Sequence, residues 1–329
     1  MFKNFQYRLA ISPTSLHTIV IIMVVAWIAA PRGTLTPADA ANGLWHLLPP
    51  FISHTGTINT ICAFICAMMG TYILGELNIS QVMLRVNSRA ISFTFAALFT
   101  AAISLHAFTP GTVVMICLLM SYFTLFSSYQ IDDSATLTYI TFLYLGISML
   151  VYPKIGWMAP VYWLSAYMLR AINLRSVFAS ILGLITPLWI VGSIAYCMGR
   201  FDVFTTMLAQ LIHFEWGGYA THTAAETMVV WLCFMVFLIG FGDLRLRLHL
   251  DKTRTRIILT QAGIHGFALY LLLLLQPTSL HILLPAVMPV TAIMGGHYVA
   301  NDSTSLSNII VWTLSLTIII TYILSSWIL

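Results

Sequence analysis

The chain is written largely as apolar runs long enough to cross a lipid bilayer, and that leaves it few ways to fold. Eleven such runs can be drawn, at about 16–30, 57–75, 91–108, 112–128, 135–152, 155–170, 177–198, 224–241, 257–276, 280–299 and 309–328. A helix needs about 20 residues to cross a hydrocarbon core about 30 Å thick, which most of the runs approach, the first and sixth being short. Lipid offers no water to backbone N–H and C=O groups, so a crossing segment must bond its own backbone as a helix or close into a barrel. Barrel strands alternate apolar and polar residues, and ALYLLLLL (268–275) does not. The expectation is an all-α polytopic transmembrane bundle of about eleven spans. Composition agrees: 60% of residues are hydrophobic, 7% are charged and the mean hydropathy is +0.93, whereas soluble domains carry about 25% charged residues.

Charge then sets the orientation. GDLRLRLHLDKTRTR (242–256) holds Arg245, Arg247, Lys252, Arg254 and Arg256, five of the 14 Lys and Arg residues. With the N-terminus in the cytoplasm, Lys3, Arg8, Arg85, Arg89, Arg170 and Arg175 fall on the same side as those five; Arg32, Lys154 and Arg200 fall on the other. So strong a bias follows the positive-inside rule and predicts an inner N-terminus and an outer C-terminus. It also supports the sixth span, whose loss would move the five-charge loop outside. The net charge of +4 is therefore a topology signal, and no nucleic-acid partner is expected. Lys3 and Arg8 before an apolar run, with Ala38-Asp39-Ala40 beyond it, have the form of a signal peptide. Because the rest of the chain is itself polytopic, an uncleaved first span is expected.

Two longer outer loops are expected, at about 31–56 and 199–223. The second divides the chain into a first membrane bundle of seven spans (1–198), an outer loop (199–223) and a second bundle of four spans (224–329). Within the first loop, LWHLLPPFI (44–52) reads as a short interfacial helix with Trp45 at headgroup level. No internal repeat is visible, and so no duplicated transporter halves. Pro160, Pro187, Pro285 and Pro289 should kink their helices. Pro285 and Pro289 with Gly295-Gly296 make the tenth span the one most open to being broken around a cavity, though a plain kink without function is the first expectation.

Cys62, Cys66, Cys117, Cys197 and Cys233 lie in apolar runs without a CxxC, so neither a disulfide framework nor a zinc site is expected. Cys62 and Cys66, one turn apart, read as packing. On the outer side the tightest polar group is His213, Glu215, His222 and Glu226, with His46, His54, His106 and His281 also at or near that side and Asp39 the only acidic residue of the first loop. If the chain is helical from Tyr219, His222 and Glu226 share one face and could bind a divalent metal or move a proton. The first expectation is nevertheless a set of solvated loop residues, since HxxxE is no zinc signature, and neither metal nor cofactor is assigned.

Gln261 and His265, one turn apart in the ninth span, read as interhelical hydrogen-bonding groups or as the lining of a polar cavity. Glu76 is expected at the inner interface, Asp132-Asp133 as caps complementing the fifth helix dipole, and His297 with Asp302 at the inner close of the tenth span. A GxxxxGK[ST] phosphate loop, GxSxG, HExxH and an Asp-rich prenyl-diphosphate pair are all missing from the sequence.

YQIDDSATLTYITFLYLGISMLVYP (129–153), LRSVFASILGLITPLWI (174–190) and GGHYVANDSTSLSNIIVW (295–312) resemble a group of polytopic inner-membrane proteins of Bacteroidetes-type bacteria with no established function. The resemblance covers most of the C-terminal two-thirds. It implies a bacterial cytoplasmic-membrane location and carries no catalytic residue across. With enzyme signatures missing, few intramembrane charges and short loops, the expected function is a non-enzymatic envelope scaffold or a subunit of a membrane assembly. Its partners would be the bilayer and other inner-membrane proteins. One alternative is an enzyme or flippase acting on polyprenyl-phosphate-linked glycans, with the His/Glu cluster and Asp39 as its polar site and a polyprenyl-phosphate lipid as partner. The other is a small-solute transporter with the tenth span as its broken helix.

Overall fold

A computed structural model describes residues 13–29, 56–84, 88–131, 133–214, 222–301 and 304–328. The described residues form twelve α-helices and no strand. In chain order they are α1 (Pro13–Ala29), α2 (Thr57–Gln81), α3 (Ala90–Ala101), α4 (Pro110–Ser127), α5 (Ala135–Val151) and α6 (Ala159–Met168). There follow α7 (Leu174–Cys197), α8 (Phe201–Ala209), α9 (Ala224–Arg247), α10 (Thr253–Leu275), α11 (Leu280–Asn301) and α12 (Ser305–Ile328). Each of the eleven apolar runs contains a helix. Seven helices, α2, α4, α7 and α9 to α12, are long and apolar enough to cross a membrane, and α1, α3 and α5 are shorter apolar helices.

Two departures from the expected pattern have local causes. The sixth run is not one helix: a 3₁₀ segment, Pro153–Met158, leads into the ten-residue α6, and Pro153 and Pro160 each remove a backbone donor that a single helix would use. The segment 199–223 is more than a loop, because it contains α8, whose Phe204 and Met207 are buried. The Phe204 ring closes on Gly192 of α7, where an added Cβ would meet it at 3.0 Å. The expected helix at 44–52, the Ala38-Asp39-Ala40 stretch, Arg85, Asp132, Glu215, Tyr219 and Asp302 lie outside the described residues.

The bundle is built around α11. Of its apolar window 94% is buried, against 22% for α7 and 17% for α12, so α11 is the axis and those two are rim helices. It packs against α3, α4, α9 and α10, and one hydrophobic core draws residues from both sides of the 199–223 segment. The stretches 1–198 and 224–329 are therefore distinct along the chain but share that core. Backbone approaches the axis closely at glycines. A Cβ on Gly111 of α4 would lie 2.5 Å from the His281 carbonyl oxygen, and one on Gly296 would lie 2.6 Å from Ile91 Cα of α3.

Gly295-Gly296 thus mark helix crossings. α11 runs unbroken from Leu280 to Asn301 through Pro285 and Pro289, so the broken form of the tenth span is not what the chain adopts. Each proline withholds one N–H, from His281 O and Pro285 O respectively, but a helix encased by four others is held by packing on every side.

Candidate functional site

At the end of α9 remote from its arginines, the sequence Thr223-Ala-Ala-Glu226 closes a capping box. The Thr223 N–H donates to Glu226 Oε2 (3.0 Å) and the Glu226 N–H to Thr223 Oγ1 (3.3 Å), satisfying two donors that a helix start leaves open. The box turns the Glu226 carboxylate inward, where its side chain is 9% exposed. His222, just before the helix, donates from Nε2 to Pro277 O (2.6 Å). A carbonyl can only accept, so that nitrogen carries the proton and Nδ1 faces Glu226 Oε2 at 3.8 Å. From the first turn of α11, His281 brings its Nδ1 to 3.5 Å from Glu226 Oε1. One ligand atom from each of the three residues lies within 4.8 Å of the others. His222 is 10% exposed and His281 28%. The picture of solvated loop residues therefore fails for His222 and Glu226, because a buried carboxylate is kept only with partners.

The 3₁₀ turn Pro277–Ser279 sets the positions of Pro277 O and His281 in one stroke. Gln276, just before it, is fully buried and accepts a hydrogen bond from Lys154 Nζ. Lys154 counted in the sequence only as one outside charge, yet it is buried at 6% exposure. A polar chain thus runs Lys154, Gln276, Pro277, His222, Glu226, His281. Of these, sequence reasoning named only His222 and Glu226 as a site. The capping-box spacing could have placed Glu226 more firmly. Nothing local marks Lys154 or His281, whose contacts come from distant parts of the chain. His213 is exposed beyond α8 and stands apart from the cluster, in a segment tied down by the Trp157 indole N–H donating to Leu211 O (3.0 Å). Glu215 and Asp39 lie outside the described residues.

Inside the bundle, Gln261 of α10 bonds to α6 twice over: Oε1 accepts from Ser165 Oγ (2.7 Å), and Nε2 lies 2.8 Å from Met168 Sδ. His265 donates from Nδ1 to Gln261 O of its own helix (2.9 Å), its ring edge-on to Tyr122 and Tyr162 at 5.2 and 4.7 Å.

At the other end the basic segment is docked rather than simply solvated. Arg247 pairs with Asp243 at 2.7 Å. Arg254 donates to Gln81 Oε1 (2.7 Å) and lies 5.8 Å from the Tyr129 ring centre, and the Thr255 hydroxyl donates to Val82 O (3.0 Å). Arg245 lies 6.0 Å from the Phe241 ring; Lys252 is exposed and Arg256 half-buried. His297 faces Asp251 at 3.6 Å, both side chains at 0% exposure, a carboxylate that the reading with Asp302 did not anticipate. Asp133 pairs with Arg175 of α7 at 3.1 Å on the surface, and the first turn of α5 holds no acidic residue, so Asp133 tethers helices rather than capping one. Glu76 is exposed within α2, which continues to Gln81.

Fold and site together define a class: among the described residues, an all-helical bundle with seven membrane-length helices and a half-sheltered His–carboxylate cluster at one end of its central helix. No protein-family model, curated protein or solved structure matches the chain.

Proposed function

We propose that this protein is a multi-pass protein of the bacterial cytoplasmic membrane that acts, as an enzyme or flippase, on a phosphate-bearing amphiphile of the polyprenyl-phosphate class. The polar centre is His222–Glu226–His281, on the outer side by the positive-inside rule. The observation that carries this reading is the Glu226 carboxylate, sheltered from water and shared between two imidazoles where the central helix reaches the bundle end. A carboxylate and imidazoles so placed can hold or pass a proton at a leaving oxygen. The amino ends of α9 and α11 meet there, and helix amino ends favour phosphate. Buried Lys154 adds a positive charge on the same polar chain.

The scaffold reading drew on few intramembrane charges. Lys154 and Glu226 are both buried on the polar chain at one end of the bundle, and burying such groups is costly unless they are partnered, which favours a polar site there over a purely apolar scaffold. The transporter reading drew on a broken tenth span, and α11 is continuous. The test is native mass spectrometry of the protein extracted in mild detergent. A retained polyprenyl-phosphate mass, lost in Glu226→Gln and Lys154→Gln, supports the reading. No such mass, or equal retention in both variants, overturns it.

A further inference from the structure

We propose that His222 Nδ1, His281 Nδ1 and the Glu226 carboxylate together bind one divalent transition-metal ion, leaving one coordination position open toward the bundle end. The inference uses the same cluster as the lipid-phosphate reading but does not need that chemistry to be right.

Spacing is the first argument. Zinc holds nitrogen and oxygen donors at 2.0–2.2 Å, so neighbouring donors on a tetrahedron lie about 3.4 Å apart. His281 Nδ1 lies 3.5 Å from Glu226 Oε1 and His222 Nδ1 lies 3.8 Å from the other carboxylate oxygen, Oε2, with one ligand atom of each residue within 4.8 Å of the others, a spread that a small side-chain adjustment would close onto one ion. Both His–Glu226 distances exceed the roughly 2.7–3.2 Å of an N–H···O hydrogen bond.

Tautomer is the second. The Nε2 proton of His222 is committed to Pro277 O, so in the neutral ring Nδ1 presents a lone pair to a carboxylate oxygen. Two lone pairs facing one another repel; a cation between them turns the same geometry into attraction. A metal-bound imidazole usually gives its other N–H to a carbonyl or carboxylate, and that outer bond fixes the ligating nitrogen. Pro277 O does this for His222. The Thr223 N–H does the equivalent for the carboxylate, holding Oε2 at 3.0 Å and leaving Oε1 toward His281.

Donor type and access are the third. Two imidazoles and a carboxylate select a first-row transition ion over calcium or magnesium, which prefer all-oxygen shells. Three protein ligands leave the open position that reactive metal sites keep, and His281, at 28% exposure, is the side from which an ion or substrate could arrive.

The experiment titrates the chelator-stripped, full-length protein in detergent with zinc by calorimetry and with cobalt(II) by visible absorption. The expected result is one ion per chain with the intense bands of tetrahedral cobalt. Glu226→Gln, His281→Gln and His222→Gln should each abolish those bands, and His213→Gln should leave them unchanged. Each variant is first checked for a single symmetric peak on size exclusion. Should one fail that check, zinc-dependent protection of the wild-type chain against thermal unfolding is the second measurement. Binding by the wild type no stronger than by Glu226→Gln, equal loss in His213→Gln, or no thermal protection would overturn the proposal. A bound metal without a retained phosphate lipid sinks the lipid reading alone. A phosphate lipid retained by a chain that takes up no metal sinks the metal site alone.

Discussion

The two ends of α11 carry the same pair of groups in opposite circumstances. His281 faces Glu226 at 3.5 Å and His297 faces Asp251 at 3.6 Å. The two histidines are separated by sixteen residues, or about 24 Å of helix. At the first end a second imidazole joins, a backbone carbonyl orients it and the rim is 28% exposed. At the second both side chains are sealed at 0% exposure and neither His297 ring nitrogen has a hydrogen-bond partner. Distance alone therefore does not define a site. The open pair can exchange a ligand; the sealed pair can do so only if the bundle opens, and its evident work is to pin the turn before α10 onto the axis.

Stability separates the two ends most sharply. His297→Ala empties a fully buried ring site facing Asp251, and truncating a buried aromatic ring costs about 3–5 kcal/mol. His281→Ala leaves Glu226 with His222 and the Thr223 N–H and should cost about 1 kcal/mol. Denaturant unfolding in detergent compares them, and equal losses would erase the distinction. The glycine crossings provide the next contrast. Gly111→Ala and Gly296→Ala each force a methyl against backbone and should destabilise by about 1–3 kcal/mol. Only Gly111→Ala pushes on the His281 carbonyl, so only it should also weaken zinc binding. A zinc affinity lowered equally by Gly296→Ala would mean that the two ends are coupled through α11.

The helices were legible in the sequence because a long apolar run in lipid has one good backbone solution, and each of the eleven runs contains a helix. What was not legible has physical causes. Glycine serves both for flexibility and for close approach, and the letters Gly295-Gly296 cannot say which; Ile91 and Val236 across the interface decide it. α8 escaped notice because a helix of nine residues is too short to make a membrane-length signal. Half the cluster was visible as His222 and Glu226 at one-turn spacing. The other half comes from His281 and from the Lys154–Gln276 contact, whose partners are 122 residues apart, and no local pattern encodes such a meeting. The basic segment was read as charge on one side of a membrane. Its docking through Arg254 and Thr255 onto the end of α2 depends on a fold that charge counting does not see.

The smaller effects sharpen the comparison by separating orientation from ligation and both from helix adhesion. Thr223→Ala removes the side-chain half of the capping box, at about 1 kcal/mol. It also loosens the turn whose N–H holds Glu226 Oε2, so it should lower zinc affinity by roughly 10–100-fold, as loss of an orienting outer partner does. Thr227→Ala, one turn on, removes only a hydroxyl bonded to Thr223 O (3.1 Å) on an exposed face and should leave zinc affinity alone. Ser165→Ala is the limiting case. It deletes the 2.7 Å bond from α6 to Gln261; between helices of membrane bundles such bonds are worth about 0.6 kcal/mol because the membrane-inserted unfolded chain finds other partners. It should shift the thermal midpoint slightly and leave metal titrations superimposable on wild type. If Ser165→Ala altered the metal titration, the cluster would be responding to α6 through Lys154 and Gln276, and the boundary between site and scaffold would have to be drawn to include the 3₁₀ segment Pro153–Met158.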